Sequence, residues 1–252
     1  MKTITPRKGE SFLDLLARCD GYYACPKGPK GERLGPLVGY AGRDDQGRQF
    51  VGDVYVNFAM AERYGWVLEH CAKHIPLEAT NRGLYRTITR GTGFCGAPEG
   101  GKALATAMTI IFGKQYIFPE KKITAVATDS SREVSELVFS RHEPYKGDVW
   151  WIVEDVCNNF STTAKLVELI ESVGASVAGI LCFLNRSLLV GGMFSPRCGL
   201  DLPVISLVRK PIEQYDQDDP EVVDDIKAGN VVWKPKNEWG RLAQAMADHS
   251  SK

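Results

Sequence analysis

The run VWWIVED at residues 149–155 constrains the fold more than any other stretch of this chain. Five apolar residues in a row end on two adjacent carboxylates, Glu154 and Asp155. A polar turn follows, made of Asn158, Asn159, Phe160, Ser161, Thr162 and Thr163. An unbroken apolar run of this kind reads as a strand buried on both faces. TTAKLVELIESVG then shows amphipathic helical spacing and closes on Gly174, and SVAGILCFL supplies a second buried strand. Strand, turn, helix, strand is the βαβ unit of a parallel sheet. The expected fold class is therefore α/β, with a central parallel sheet flanked by helices.

Other segments fill in the organisation. SFLDLLARC at 11–19 reads as a short helix capped by Ser11, and the Gly- and Pro-rich CPKGPKGERLGP must be loop. VGDVYVNF at 51–58 alternates as a strand does, and a helix is predicted over about 59–74, its last turn carrying His70, Lys73 and His74. A glycine-rich turn at 96–101 leads into KALATAMTIIFG, a helix ending at Gly113, and QYIFP is a short strand. Residues 123–148 are polar and poorly periodic, except that EVSELVF suits one arm of a hairpin. LPVISLV is strand-like, EQYDQDDPEVVDDIKAGN is acidic with a short helical pattern, and EWGRLAQAMAD reads as a terminal helix. The expected division is an N-terminal segment at 1–50, a core at 51–202 and a C-terminal extension at 203–252.

Charge and cysteine usage restrict the function classes. Thirty-one basic residues balance 31 acidic ones, whereas general nucleic-acid binders carry a basic excess. No nucleic-acid partner is expected. The apolar runs are too short to span a bilayer, and MKTITPRKGESF lacks the apolar stretch of a signal peptide. Seven cysteines occur without a CxxC pair, which reads as free thiols buried in a reducing, cytoplasmic setting.

The chemistry concentrates around residue 155. Ligands of open parallel sheets bind at the carboxyl ends of strands, and a helix N-terminus preceded by hydroxyl-bearing residues cradles phosphate. Carboxylates repel phosphate, so Glu154 and Asp155 must serve another group, either a vicinal diol or a magnesium ion. A phosphate on one side of the turn and a diol on the other fit a ribose 5-phosphate.

Four apolar residues, two acidic ones and a Ser/Thr-rich turn into a helix resemble the motif with which type I phosphoribosyltransferases bind PRPP (5-phosphoribosyl 1-pyrophosphate). The turn here departs from the family pattern by carrying NNFSTT without the usual glycine. GFCGAPEGGKALATAM is similar to the family's pyrophosphate loop, and the resemblance assigns that role to Ala97, Pro98, Glu99, Gly100, Gly101 and Lys102. In FPEKK, Lys121 and Lys122 stand where the family has a basic pair touching the leaving group. Segment 123–148 corresponds to the loop the family closes over its site, with Arg132, Arg141 and His142 as its cations. The resemblance implies a small hood formed by the N-terminal and possibly the C-terminal segments, Mg²⁺ as cofactor, and a homodimer.

For the acceptor, SVAGILCFLNRSL ends on Asn185-Arg186. Orotate phosphoribosyltransferases place an acidic residue and an arginine there, which implies that Arg186 pairs with the orotate carboxylate, a bidentate match for a guanidinium. Asn185 replaces the acidic neighbour. QGRQFVGDVYVNF is similar to the family segment that lines the base pocket. The resemblance covers about residues 45–190 and implies transfer of phosphoribose from PRPP to a nucleobase, orotate first among the candidates. The alternatives are another base and a non-catalytic PRPP-sensing regulator. A P-loop hydrolase is a further rival, since Gly96–Lys102 nearly spells GxxxxGK[ST]. It is disfavoured because Ala103 lacks the Mg²⁺-binding hydroxyl and because TRGTGFC is too glycine-broken for a central strand.

Overall fold

In the computed structural model, which describes residues 4–125 and 134–249, the first element is α1 (Phe12–Arg18). It begins where the Ser11 hydroxyl accepts a hydrogen bond from the Asp14 N–H at 3.1 Å. β1 (Tyr22–Ala24), β2 (Leu37–Arg43), β3 (Gln49–Gly52), β4 (Val54–Val56) and α2 (Ala59–Glu62) follow. The single strand expected over 51–58 is in fact two strands. Asp53 interrupts it, its carbonyl accepting from the Cys25 N–H at 2.7 Å, so that β3 pairs with β2 while β4 pairs with β1. The helix expected over 59–74 also breaks. Tyr64 adopts extended backbone angles (φ −106°, ψ 106°), and a separate helix, α3 (Gly65–Asn81), starts after it and runs on past Pro76.

After α3 come α4 (Tyr85–Arg90), β5 (Gly93–Gly96), α5 (Gly101–Phe112), β6 (Gln115–Ile117), β7 (Glu120–Ala125), β8 (Val134–Val138), β9 (Val149–Cys157), α6 (Ser161–Ser172), β10 (Ser176–Asn185), β11 (Met193–Arg197) and β12 (Leu200–Arg209). Six strands form one sheet in the order β11-β12-β10-β9-β5-β6. All neighbours are parallel except the edge pair β11 and β12. Trp150, Trp151, Ile152 and Val153 are fully buried, as a strand covered on both faces requires. Leu166, Val167 and Ile170 of α6 join Trp150 and Ile152 in one core cluster. Trp151 donates its indole N–H to the Thr87 carbonyl of α4 at 3.4 Å. Each such side chain contributes about 1.5–3 kcal/mol of burial free energy, so the strand end bearing Glu154 and Asp155 is rigidly held.

One expectation needs correction. GFCG, judged too glycine-broken for a central strand, is β5, buried along its length between β9 and β6. A β-carbon at Gly93 would overlap the Gln115 carbonyl, so the glycine that spoils the sequence pattern is what admits close pairing. In segment 123–148 the hairpin arm expected in EVSELVF is β8, which pairs antiparallel with β7 from Glu120↔Val138 to Ala125↔Val134. Arg132 lies outside the described residues.

The last elements are α7 (Val223–Lys227), β13 (Val231–Val232) and α8 (Trp239–His249). β13 adds to β2 in parallel, and Val232 and Leu242 share a core with Tyr23, Val38 and Tyr40. The chain divides into two compact units, Tyr64–Lys210 and Met1–Arg63 with Pro211–Lys252. The boundaries fall after residues 63 and 210, where the sequence placed them after 50 and 202, because β12 continues as a sheet strand to Arg209. Among the described residues no helix is long and apolar enough to cross a membrane.

Candidate active site

β9 brings Glu154 and Asp155 to the carboxyl end of the sheet, both partly buried. Asp155 Oδ1 accepts from the Val156 N–H at 2.8 Å, which fixes the carboxylate against its own backbone. Burial pushes Glu154 well above the ordinary carboxylate range, the Asp155 charge and a hydrogen bond to Asp155 push it further, and the Lys121 charge opposes the rise. Two carboxylates held together in this way favour a ligand that donates hydroxyl hydrogens or brings a cation.

The chain leaves the sheet through Asn158 and Asn159, both exposed. Asn159 Oδ1 accepts from the Ser161 N–H at 3.1 Å and the Ser161 hydroxyl at 2.9 Å, closing a short turn at the start of α6. Phe160 takes the left-handed conformation (φ 58°, ψ 15°) that the missing glycine would ordinarily supply. Its ring is buried and stacks on Phe194 at 4.8 Å, an anchorage that holds the unfavourable angle in place. Thr163 is buried, whereas Ser161 and Thr162 face outward or partly so. The first turn of a helix leaves N–H groups without intrahelical acceptors, so α6 offers an anion cradle a few residues beyond the carboxylates.

Residues 97–102 close the site from the neighbouring strand. The Ala97 N–H donates to the Val153 carbonyl at 2.9 Å, and the Gly101 N–H donates back to Ala97 at 3.0 Å. Pro98 is buried, and the Pro98–Glu99 peptide bond is cis. A β-carbon at Gly100 would overlap the Asp155 carboxylate, and one at Gly101 would overlap the Val153 carbonyl. Both glycines are there for close approach. Lys102 pairs with Glu99 at 2.8 Å and sits 4.7 Å over the Phe118 ring. Sequence reasoning missed Phe118 and Tyr116, whose hydroxyl donates to the Lys102 carbonyl at 3.3 Å. The signal was their i, i+2 spacing, which puts two rings 5.5 Å apart beside the loop.

Lys121 and Lys122 are exposed on β7, opposite Leu137 and Glu136 of β8. Of the pair, Lys121 is near enough to act on Glu154. Arg141 and His142 are exposed on the segment joining β8 to β9 and take part in none of these contacts. Arg186 is buried, 8% exposed, and its backbone N–H donates to the Cys157 carbonyl at 2.9 Å. It thus follows the end of β10 level with the end of β9. Asn185 is fully buried and donates to the carbonyls of Val190 and Gly191 at 3.0 and 2.9 Å. It braces the connection behind Arg186, a role in which its amide N–H groups, absent from a carboxylate, are required.

No protein-family model matches the chain, and no curated protein matches it. Solved structures do. The chain is similar to orotate phosphoribosyltransferase from Aeropyrum pernix, with a TM-score of 0.50 and 18% identity, covering 70% of this chain and 89% of that one. It is also similar to adenine phosphoribosyltransferase from Trypanosoma brucei in complex with AMP, pyrophosphate and ribose-5-phosphate, with a TM-score of 0.50 and 14% identity, covering 81% and 82% of the two chains. The architecture is therefore that of the phosphoribosyltransferases. Its six-stranded sheet, parallel except at one edge and flanked by helices, is the fold class expected from the sequence.

Proposed function

We propose that this protein is an enzyme that transfers the 5-phosphoribosyl group of PRPP to orotate, giving orotidine 5'-monophosphate and pyrophosphate. The observation that carries the reading is the meeting of three parts at the carboxyl end of the sheet. These are the Glu154–Asp155 pair, the α6 N-terminus behind it, and the 97–102 loop packed against Asp155 through Gly100. Residues 158–163 would hold the 5-phosphate through backbone N–H groups and hydroxyls. Glu154 and Asp155 would accept from the ribose hydroxyls. The 97–102 loop and Lys121, with Lys122, would stabilise charge building on the departing pyrophosphate.

Magnesium fits this site, because burial first and the neighbouring Asp155 charge second disfavour a second negative charge at Glu154, and a cation would offset both. Among the described residues no group of three or more His, Cys, Asp or Glu side chains comes together as a metal site. Glu154 and Asp155 would therefore supply few ligands and PRPP oxygens the rest, the usual Mg²⁺ arrangement with phosphates. The ion would neutralise charge on the pyrophosphate. Orotate is favoured over other bases because Arg186 is buried at the adjoining strand end, where a guanidinium suits a carboxylate-bearing acceptor. The reading includes a cytoplasmic homodimer, supported by six buried free cysteines and by exposed Ile110 and Ile111 on α5, apolar surface that a second copy would cover.

The test is pyrophosphate release from PRPP and Mg²⁺ with orotate, uracil, adenine, hypoxanthine and guanine offered singly. Release with orotate alone is expected. Release with a purine instead would refute the acceptor, and no release with any base would refute the transfer.

A further inference from the structure

Two strands along the sheet from Glu154 and Asp155, β12 borders a solvent-open cleft of about 320 Å³, a volume at the small end of small-molecule sites. Its walls bring together two arginines from different elements. Arg82, just past the end of α3, donates to the Val204 carbonyl. A β-carbon at Gly192 would overlap the Arg82 guanidinium, so the glycine makes the space in which that group lodges. Arg209, at the end of β12, donates to the Asn185 carbonyl at 3.2 Å. Each guanidinium has five N–H donors, and a hydrogen bond to a backbone carbonyl orients it without neutralising it. Among the described residues neither forms a salt bridge to a carboxylate. Ser206 adds a hydroxyl to the wall, and Glu78 is the one carboxylate there.

We propose that this cleft binds a small phosphorylated molecule, with Arg82, Arg209 and Ser206 on the phosphate and Glu78 accepting from a hydroxyl or amino group of the same ligand. Two guanidinium forks and a hydroxyl offer more donors than the two oxygens of a carboxylate absorb, whereas a phosphate monoester presents three terminal oxygens. The site is separate from the turn at 158–163. One link to that region is Asn185, whose carbonyl takes the Arg209 hydrogen bond and whose side chain braces the connection carrying Arg186 and Gly191. A ligand drawing on Arg209 would therefore be felt at Arg186. The proposal stands on the cleft alone and does not require the transfer reaction.

Binding of inorganic phosphate, measured by calorimetry at constant ionic strength against chloride, tests it without any turnover. In a Thr162→Glu background, where an added carboxylate repels anions from the α6 N-terminus, millimolar phosphate is expected still to bind. Arg209→Gln in that background should weaken binding about ten-fold, the loss of one charge-assisted hydrogen bond, and Arg209→Lys should recover part of it. Ser206→Ala provides a second variant that leaves both arginines in place, with a smaller loss expected. Absence of phosphate binding to folded Thr162→Glu protein, or binding unchanged by both Arg209→Gln and Ser206→Ala, would overturn the site.

Discussion

Glu154 is where burial and charge oppose each other most directly. Its folded-state pKa is raised above the ordinary 4.5 by desolvation first and by the Asp155 carboxylate second. Between that ordinary value and the raised one, the folded chain holds a proton that the unfolded chain has released. Stability therefore falls as pH rises through this window. Glu154→Gln removes the effect, so thermal melts should show the wild type losing stability relative to the variant from about pH 4.5 upward; parallel curves would contradict the burial argument. Neighbouring glycines separate fold from function. Gly101→Ala meets the Val153 carbonyl, a backbone group that cannot step aside, and should destabilise by about 1–3 kcal/mol in urea unfolding. Gly100→Ala meets the Asp155 side chain, which can move aside at the expense of its hydrogen bond from the Val156 N–H. It should cost about 0.5–1.5 kcal/mol in unfolding while lowering kcat/KM for PRPP by at least about ten-fold, the equivalent of one hydrogen bond to a charged group.

At the scale of elements, the turn between β9 and α6 is held by one buried ring. The left-handed angle at Phe160 opposes folding by about 1–2 kcal/mol, and truncating a buried phenylalanine costs about 3–5 kcal/mol. Phe160→Ala keeps the angle and loses the Phe194 stack, so it should be the less stable variant. Phe160→Gly loses the stack but relieves the angle, and chemical denaturation should place it between Ala and wild type. The reverse order would mean that the angle is not strained. This turn also marks how far the sequence could be read. β9, α6 and β10 were legible because burial on two faces, or on one helical stripe, writes a period into the chain. The conformation of Phe160 was not, because it depends on Phe194, far along the sequence. The same holds for the break at Asp53, where β3 and β4 turn to different partners, and for β5, whose glycines record the closeness of Gln115 and carry no period of their own.

Across the whole molecule, the C-terminal segment supplies β13 and α8 to the unit begun by the first 63 residues. Val51 and Tyr215 pair through reciprocal backbone hydrogen bonds of 3.0 and 2.9 Å. Nothing local in the acidic stretch after residue 211 announces this return, because pairing over such a separation is written in neither segment alone. The candidate site divides in the same way. The carboxylate pair, the 158–163 turn and the 97–102 loop each lie within one short stretch and could be named as candidates from sequence. The bracing by Asn185 and the aromatic bed under Lys102 depend on which strand ends meet, and only the fold revealed them. A crystal structure of the protein with ribose 5-phosphate tests the central claim most directly. The expected result has the phosphate on the backbone N–H groups of residues 160–163 and the two ring hydroxyls on Glu154 and Asp155. A sugar phosphate bound elsewhere, or bound with its hydroxyls turned away from both carboxylates, would contradict it.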